Sequence, residues 1–92
     1  MAVMGVKMAV DIFASAPFRV PVLVRIGHGS SELVESASDA MFYLQRRWPH
    51  ERGEHYSRAV RDCKKAAEGL IPAEVARESF ISASIEAYVL AS

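Results

Sequence analysis

The sequence contains a single cysteine, Cys63, and has no net charge, because 11 basic residues balance 11 acidic ones. One cysteine excludes an intramolecular disulfide, so nothing indicates an oxidising compartment, and we expect a cytoplasmic protein. The chain also lacks any run of about 18 to 20 apolar residues, the length that a membrane-spanning helix needs. A membrane partner is therefore not expected. With 92 residues, the chain is long enough for one domain with a modest core.

The three histidines and the cysteine lack the spacing of a metal site. His55 and Cys63 lie about 12 Å apart along a helix axis, which is too far for two ligands of one zinc ion. The Gly27–Ser31 turn has neither the glycine spacing of a phosphate-binding loop nor the strand-to-helix context of a nucleophile elbow. The sequence therefore predicts no catalytic, cofactor-binding or metal-ligating residue, no cofactor and no enzymatic activity. A small-molecule enzyme ranks third among the possible functions.

Residues 1–17 show no clear helix or strand periodicity. An Ala-Ser-Ala triplet at 14–16 is typical of a signal-peptidase site, but Asp11 interrupts the apolar stretch and Pro17 would follow the cut. We therefore expect a poorly anchored N-terminal segment rather than a secretion signal. Residues 18–90 are predicted to form a single domain.

The next stretch alternates between apolar and other residues, which is typical of a half-buried strand. The residues predicted to share its buried face are Phe18, Val20, Val22, Val24 and Ile26. Pro21 has no N–H to donate, so one side of this strand is expected to be a sheet edge locally. A Gly-His-Gly turn at 27–29 precedes a shorter predicted strand over 31–35. The pattern predicts a β-hairpin, which needs helices packed on it to be stable.

Three helices are predicted after the hairpin. The first begins at Ser36, where Ser36 and Asp39 resemble a capping box, and Pro49 ends it. The second has an apolar stripe over Tyr56–Leu70, and the third runs from Pro72 to about Leu90. These elements predict an α+β fold in which an N-terminal β-hairpin is followed by three α-helices packed on it.

The chain also follows the sequence pattern of a known family. The matching residues are Phe18-x-x-Pro21-Val22, Gly27, Val34-x-Ser36-x-x-Asp39-Ala40, Leu44, Trp48-Pro49, Gly53-x-x-Tyr56-x-x-Ala59, Cys63, Ala66, Gly69, Pro72 and Ala76-Arg77-x-x-Phe80-Ile81. In these residues the chain resembles the small bacterial proteins of domain-of-unknown-function family 982, over about residues 18 to 88. The resemblance implies the domain limits and brings no assigned activity, ligand or catalytic residue.

Positive charge is concentrated between positions 45 and 65, which hold seven basic and three acidic residues. Clustered Lys and Arg beside an aromatic residue such as Trp48 are typical of a surface that contacts a phosphate backbone. The candidate nucleic-acid contacts are Arg46, Arg47, Arg52, Arg58, Arg61 and Lys65. The alternative is a solvated helix face on which Glu54 and Glu68 cancel part of the charge.

Two apolar stripes run along the third predicted helix. One contains Phe80 and several alanines and is assigned to the core, whereas the other lies nearly opposite. Exposed apolar surface of this kind is typical of a partner interface, and a symmetric homodimer is the commonest way to cover it. The candidate interface residues are Phe42, Ile81, Ile85 and Tyr88. The alternative is that the apolar residues 1–17 cover one of these surfaces.

These patterns together predict a non-enzymatic, self-associating interaction or regulatory module. Nucleic-acid binding through the basic second helix is the alternative.

Overall fold

The computed structural model describes residues 16–91. A two-stranded antiparallel sheet is followed by three helices. The strands are β1 (Pro17–Val24) and β2 (Glu32–Ser36), and the helices are α1 (Ala37–Arg46), α2 (Glu54–Ala67) and α3 (Ala73–Glu86). This arrangement confirms the predicted α+β fold class. Residues 1–15 of the predicted N-terminal segment lie outside the described residues.

The hairpin departs from perfect alternation at one point. Val22 pairs with Val34, but the register shifts between Pro17 and Val22, so β1 bulges around Pro21. Proline tends to occur at such bulges because it cannot donate to the ladder. As a result Val20 is exposed, and the prediction that it shares the buried face of the strand is wrong.

The second edge of β1 is paired at one end by the segment that follows α3. The N–H of Arg25 donates to the carbonyl of Val89 at 2.8 Å, and the N–H of Ala91 donates to the carbonyl of Leu23 at 2.9 Å. Residues 89–91 therefore pair with β1 through one isolated antiparallel bridge, between Val24 and Leu90. Their return to the sheet explains why α3 stops at Glu86, and the predicted helix end near Leu90 is wrong.

Side chains of α3 cover the same edge next to the bulge. The Nε of Arg77 donates to the carbonyl of Val20 at 2.6 Å. The carboxylate of Glu74 accepts from the N–H of Arg19 at 3.0 Å. Backbone groups that no strand reaches are thus satisfied by side chains, which also protects the edge from pairing with another chain.

Local capping fixes where α1 begins. The hydroxyl of Ser36 accepts from the N–H of Asp39 at 3.0 Å, which confirms the predicted helix start. The carboxylate of Asp39 accepts in turn from the N–H of Glu35 at 3.3 Å. The helix ends at Arg46, before Trp48, whose indole is nevertheless buried.

The core lies where α1 and α3 pack on the sheet and where α2 packs on these two helices. The predicted core stripe of α3 is buried at Ala76, Phe80, Ala83 and Ala87. The ring of Phe80 lies 5.5 Å from that of Trp48, between their centroids. Cys63 also belongs to this core, and burial raises the pKa of its thiol to about 12. The thiol therefore stays protonated at neutral pH and packs as a small apolar group.

None of the helices in the described part of the chain is long and apolar enough to span a lipid bilayer.

Candidate functional site

Two open depressions lie side by side where α2 and α3 face solvent. The first has a volume of about 500 Å³ and is lined by His55, Ser82, Ile85, Glu86 and Tyr88. The second has a volume of about 300 Å³ and is lined by Arg58, Asp62, Val75, Glu78, Ser79 and Ser82. Because Ser82 borders both, they form one continuous surface, which we call the α2–α3 groove.

One end of the groove is fixed by a carboxylate at the start of α2. Glu86 accepts hydrogen bonds from the N–H groups of Gly53 at 3.2 Å, His55 at 3.2 Å and Tyr56 at 3.1 Å. Gly53, the N-cap residue of α2, has no side chain to accept these bonds. Glu86 therefore caps α2 from another helix, and its negative charge lies at the positive end of the α2 dipole.

Gly53 leaves the space that this cap occupies. A Cβ at position 53 would lie 2.5 Å from Oε2 of Glu86. Since real Cβ atoms do not approach other atoms so closely, a larger residue there would displace the carboxylate. The glycine therefore allows α3 to lock the first turn of α2.

The middle of the groove is polar. The hydroxyl of Ser79 donates to Asp62 at 2.5 Å, which links α3 to α2. Asp62 also receives a longer contact from Arg61, at 3.5 Å. Within residues 16–91, Arg58 and Glu78 make no hydrogen bond or ion pair through their side chains. The groove thus presents one positive and one negative charge that are not used by the fold.

The apolar end of the groove contains an unusual backbone conformation at Tyr88. The N–H of Val89 donates to the carbonyl of Ser84 at 2.9 Å, and that of Tyr88 donates to Ile85 at 3.1 Å. This pair of bonds is the Schellman motif, which requires positive φ at the residue after the helix cap. Tyr88 meets that requirement with φ of 61°. A residue with a Cβ pays about 1 kcal/mol or more for this conformation, whereas glycine does not.

The same chain ends α2 with the same motif, and there it uses glycine. The N–H of Leu70 donates to the carbonyl of Lys65 at 2.9 Å, and Gly69 has φ of 79°. The chain turns away from the helix at Gly69, so Leu70 is 68% exposed and not part of the core stripe predicted to end there. Positions 69 and 88 are therefore equivalent, and only position 88 carries a side chain, which has a conformational cost.

Two of the four predicted interface residues line the groove. Ile85 is 58% and Tyr88 is 89% exposed, and both border the larger depression. Ile81 is half-buried and packs on the core. Phe42 lies on α1, is 51% exposed and contacts Tyr43 edge to face. The structure thus brings Ile85 and Tyr88 together, and neither Ile81 nor Phe42 borders the groove.

Sequence reasoning missed the contribution of Val75, Ser82 and His55 to this surface. Val75 is 44% exposed and borders the smaller depression. Its relation to Ile85 was visible in the spacing of Val75, Glu78, Ser82 and Ile85, which follow each other at three, four and three positions along one side of a helix. Because Glu78 and Ser82 are polar, apolar periodicity alone does not indicate this stripe.

Arg47 and Arg52, two of the six predicted nucleic-acid contacts, are held by hydrogen bonds within the fold. Arg47 is held by Glu32 through two bonds of 2.7 Å. Arg52 donates to the backbone carbonyls of Pro49 at 3.2 Å and Trp48 at 3.0 Å. Both guanidinium groups therefore serve the fold. The other four are exposed: Arg46 lies at the end of α1, and Arg58, Arg61 and Lys65 follow one another along the outer side of α2.

The bidentate pair of Arg47 and Glu32 belongs to a small polar cluster with Tyr43. The hydroxyl of Tyr43 donates to Glu32 at 2.8 Å, and the guanidinium of Arg47 lies 5.1 Å from the centre of the Tyr43 ring. The hydrogen bonds from Arg47 and Tyr43 hold the pKa of Glu32 below its ordinary value. Burial and the bond to Glu32 raise the pKa of Tyr43. The cluster joins β2 to α1.

The lowered pKa of Glu32 predicts that this cluster stabilises the fold only while Glu32 is ionised. The contribution is complete above 4.5, the ordinary pKa of this carboxyl, and is lost as the pH falls through the lowered pKa of the folded state. Urea unfolding over a pH series should therefore show a stability difference between the wild type and Glu32→Gln that is constant near neutral pH and shrinks in acid. A difference that does not change with pH would contradict the role of the charge.

Among the residues that the structure describes, no group of three or more His, Cys, Asp or Glu side chains is arranged to hold a metal ion.

The hairpin, the three helices and the α2–α3 groove define a class of small α+β domain. A model of the family described as "Protein of unknown function (DUF982)" matches residues 20–91, and the chain belongs to that family. The solved NMR structure of Agrobacterium tumefaciens protein Atu1219 is similar, with a TM-score of 0.70 and 26% sequence identity over 83% of this chain and 76% of that chain. A comparison with curated proteins gives no match. These findings confirm the family recognised from the sequence.

Proposed function

We propose that this protein is a non-enzymatic interaction module of the cytoplasm that associates with itself through the apolar end of the α2–α3 groove. The observation that carries the proposal is Tyr88. Its side chain is 89% exposed, yet it occupies a backbone position where glycine would be more stable. Residues kept at such a cost occur mainly at functional sites.

The surroundings of Tyr88 support the same proposal. Ile85 borders the same depression and is itself exposed, so an aliphatic and an aromatic side chain face solvent together. Tyrosine is enriched among the residues that dominate binding energy at protein interfaces. Covering this surface with a second copy of the same chain gives a closed, two-fold symmetric dimer.

The test compares two substitutions in the groove. Tyr88→Gly should raise the free energy of unfolding by about 1 kcal/mol, because it relieves the positive φ. The same change should weaken self-association by about tenfold or more, because it removes an aromatic contact. Unfolding is measured on dilute protein, where association does not add to stability, and association by sedimentation equilibrium.

Ile85→Glu provides the second substitution. It should disperse the dimer without unfolding the monomer, since Ile85 is 58% exposed. Leu70→Glu is the matched control: it makes a similar change at a residue that is 68% exposed but lies outside the groove, so the solution mass should not change. A wild-type protein that remains monomeric at the highest attainable concentration would refute self-association, and a dimer unaffected by either substitution would refute this surface.

The alternative function is nucleic-acid binding. The observation that favours it is the row of Arg58, Arg61 and Lys65 on the outer side of α2, which spans about 10 Å at 1.5 Å per residue. Fluorescence anisotropy with labelled duplex DNA and single-stranded RNA distinguishes the two. Binding that falls steeply with salt and is lost in Arg61→Glu/Lys65→Glu would favour the alternative, because these two residues lie outside the groove.

A further inference from the structure

Four residues on the outer side of α3 are spaced symmetrically along the sequence. Val75, Glu78, Ser82 and Ile85 occupy neighbouring positions on one side of the helix and all four border the α2–α3 groove. Their spacing of three, four and three positions is symmetric about position 80. A second copy of this helix running in the opposite direction therefore meets it in register.

Antiparallel pairing about that centre matches each member with a suitable partner. Val75 of one copy faces Ile85 of the other, and this apolar pair occurs twice. Glu78 of one copy faces Ser82 of the other, where the hydroxyl can donate to the carboxylate. The small Ser82 side chain also allows the two helices to approach to the usual 8–10 Å between axes.

The charges of the groove are complementary to those of a second copy. Asp62 accepts a hydrogen bond from Ser79, and Glu86 accepts hydrogen bonds from three backbone N–H groups. The remaining charges, Arg58 and Glu78, border the same depression. A two-fold axis presents the same pair in reverse order, so each of these two free charges has an opposite charge available on the other copy.

We propose that the occupant of the α2–α3 groove is a second copy of this chain, whose α3 packs antiparallel against the first across a two-fold axis at the level of position 80. This inference rests on the proposed self-association and adds its partner surface and register. Tyr88, just beyond the end of α3, then lies beside Pro72 at the start of the other copy's α3.

The register can be tested by disulfide formation between variants that each carry one added cysteine at a groove position. A mixture of Glu78→Cys and Ser82→Cys proteins should form the mixed disulfide roughly tenfold faster than either homodisulfide, because only facing residues reach the Cα separation that a disulfide needs. A mixture of Val75→Cys and Ile85→Cys proteins should also form the mixed disulfide faster than either homodisulfide. The native Cys63 is buried, and its pKa of about 12 keeps it from competing.

Leu70→Cys is the control, since this residue is exposed and lies outside the groove; it should not form a mixed disulfide with any groove variant. Each variant is first checked for native circular dichroism. The wild type provides an independent measurement: isotope-filtered NMR on a mixture of labelled and unlabelled protein should show contacts between the methyl groups of Val75 and Ile85 from different copies.

The possible failures can be told apart. Homodisulfides that dominate at positions 78 and 82 would overturn the antiparallel register. A dimer by sedimentation without α3 disulfides or intermolecular Val75–Ile85 contacts would overturn this inference and leave the proposed self-association intact. A monomer in which the Ile85 methyl groups contact residues 1–15 of the same chain would overturn both.

Discussion

Phe80→Ala should lower the free energy of unfolding by about 3 to 5 kcal/mol, the range found for deleting a buried phenylalanine ring. Phe80 is fully buried and packs against Trp48 at 5.5 Å between ring centroids. The surrounding side chains come from elements that are held in place by capping bonds, so they cannot collapse fully into the cavity. Because domains of this size are stable by only about 5 to 15 kcal/mol, the variant should be close to unfolding at room temperature.

Urea denaturation followed by circular dichroism measures this loss. Phe42→Ala is the matched control, because it deletes the same ring from a residue that is 51% exposed. Its cost should remain within about 1 kcal/mol, as for most surface substitutions. Equal losses at the two positions would contradict the core assignment of α3.

Glu86→Ala should lower the free energy of unfolding by about 2 kcal/mol, the upper range for losing a helix N-cap. Three N–H groups at the start of α2 would lose their acceptor. Two of them, at Gly53 and Tyr56, share Oε1, and the third, at His55, uses Oε2, so a single water molecule would have to accept three hydrogen bonds to replace the carboxylate. The first turn of α2 should fray, which hydrogen exchange at Tyr56 would report directly.

Glu86→Gln separates the charge from the hydrogen bonds. The amide oxygen can still accept from Gly53 and Tyr56, but the amide NH₂ then faces the N–H of His55, and the interaction with the helix dipole is lost. We expect a smaller loss than for alanine. Equal stability of Glu86→Ala and the wild type would show that solvent caps α2 as well as Glu86 does.

Local sequence signals predicted the hairpin and the start of α1 because their causes are local. Alternation, a glycine turn and the Ser36 cap act within a few residues of each other. The missing N–H of Pro21 predicted a local sheet edge, and the backbone beside it is covered by the Arg77 side chain rather than by a strand. The full effect of Pro21, the bulge that turns Val20 outward, depends on how β2 resumes pairing at Val34, and alternation alone does not contain that information.

The end of α3 was less predictable than the start of α1, because tertiary contacts determine where it lies. The helical pattern of α3 continues past Glu86, but pairing of the following residues with β1 is more favourable than another helical turn. Tertiary contacts also determine which candidate site residues are free to bind a partner. Arg47 is read as a free cation until the fold brings Glu32, fifteen positions away, into a bidentate pair. Composition gives the number of charged side chains, but it does not show which of them form ion pairs within the fold.

The pairing of Val24 with Leu90 also sets the order in which the protein can complete its fold on the ribosome. The hairpin leaves the ribosome early, but the second edge of β1 stays open until α3 and residues 89–91 have been synthesised. During that interval the nascent chain exposes a strand edge, which is the kind of surface on which polypeptides aggregate.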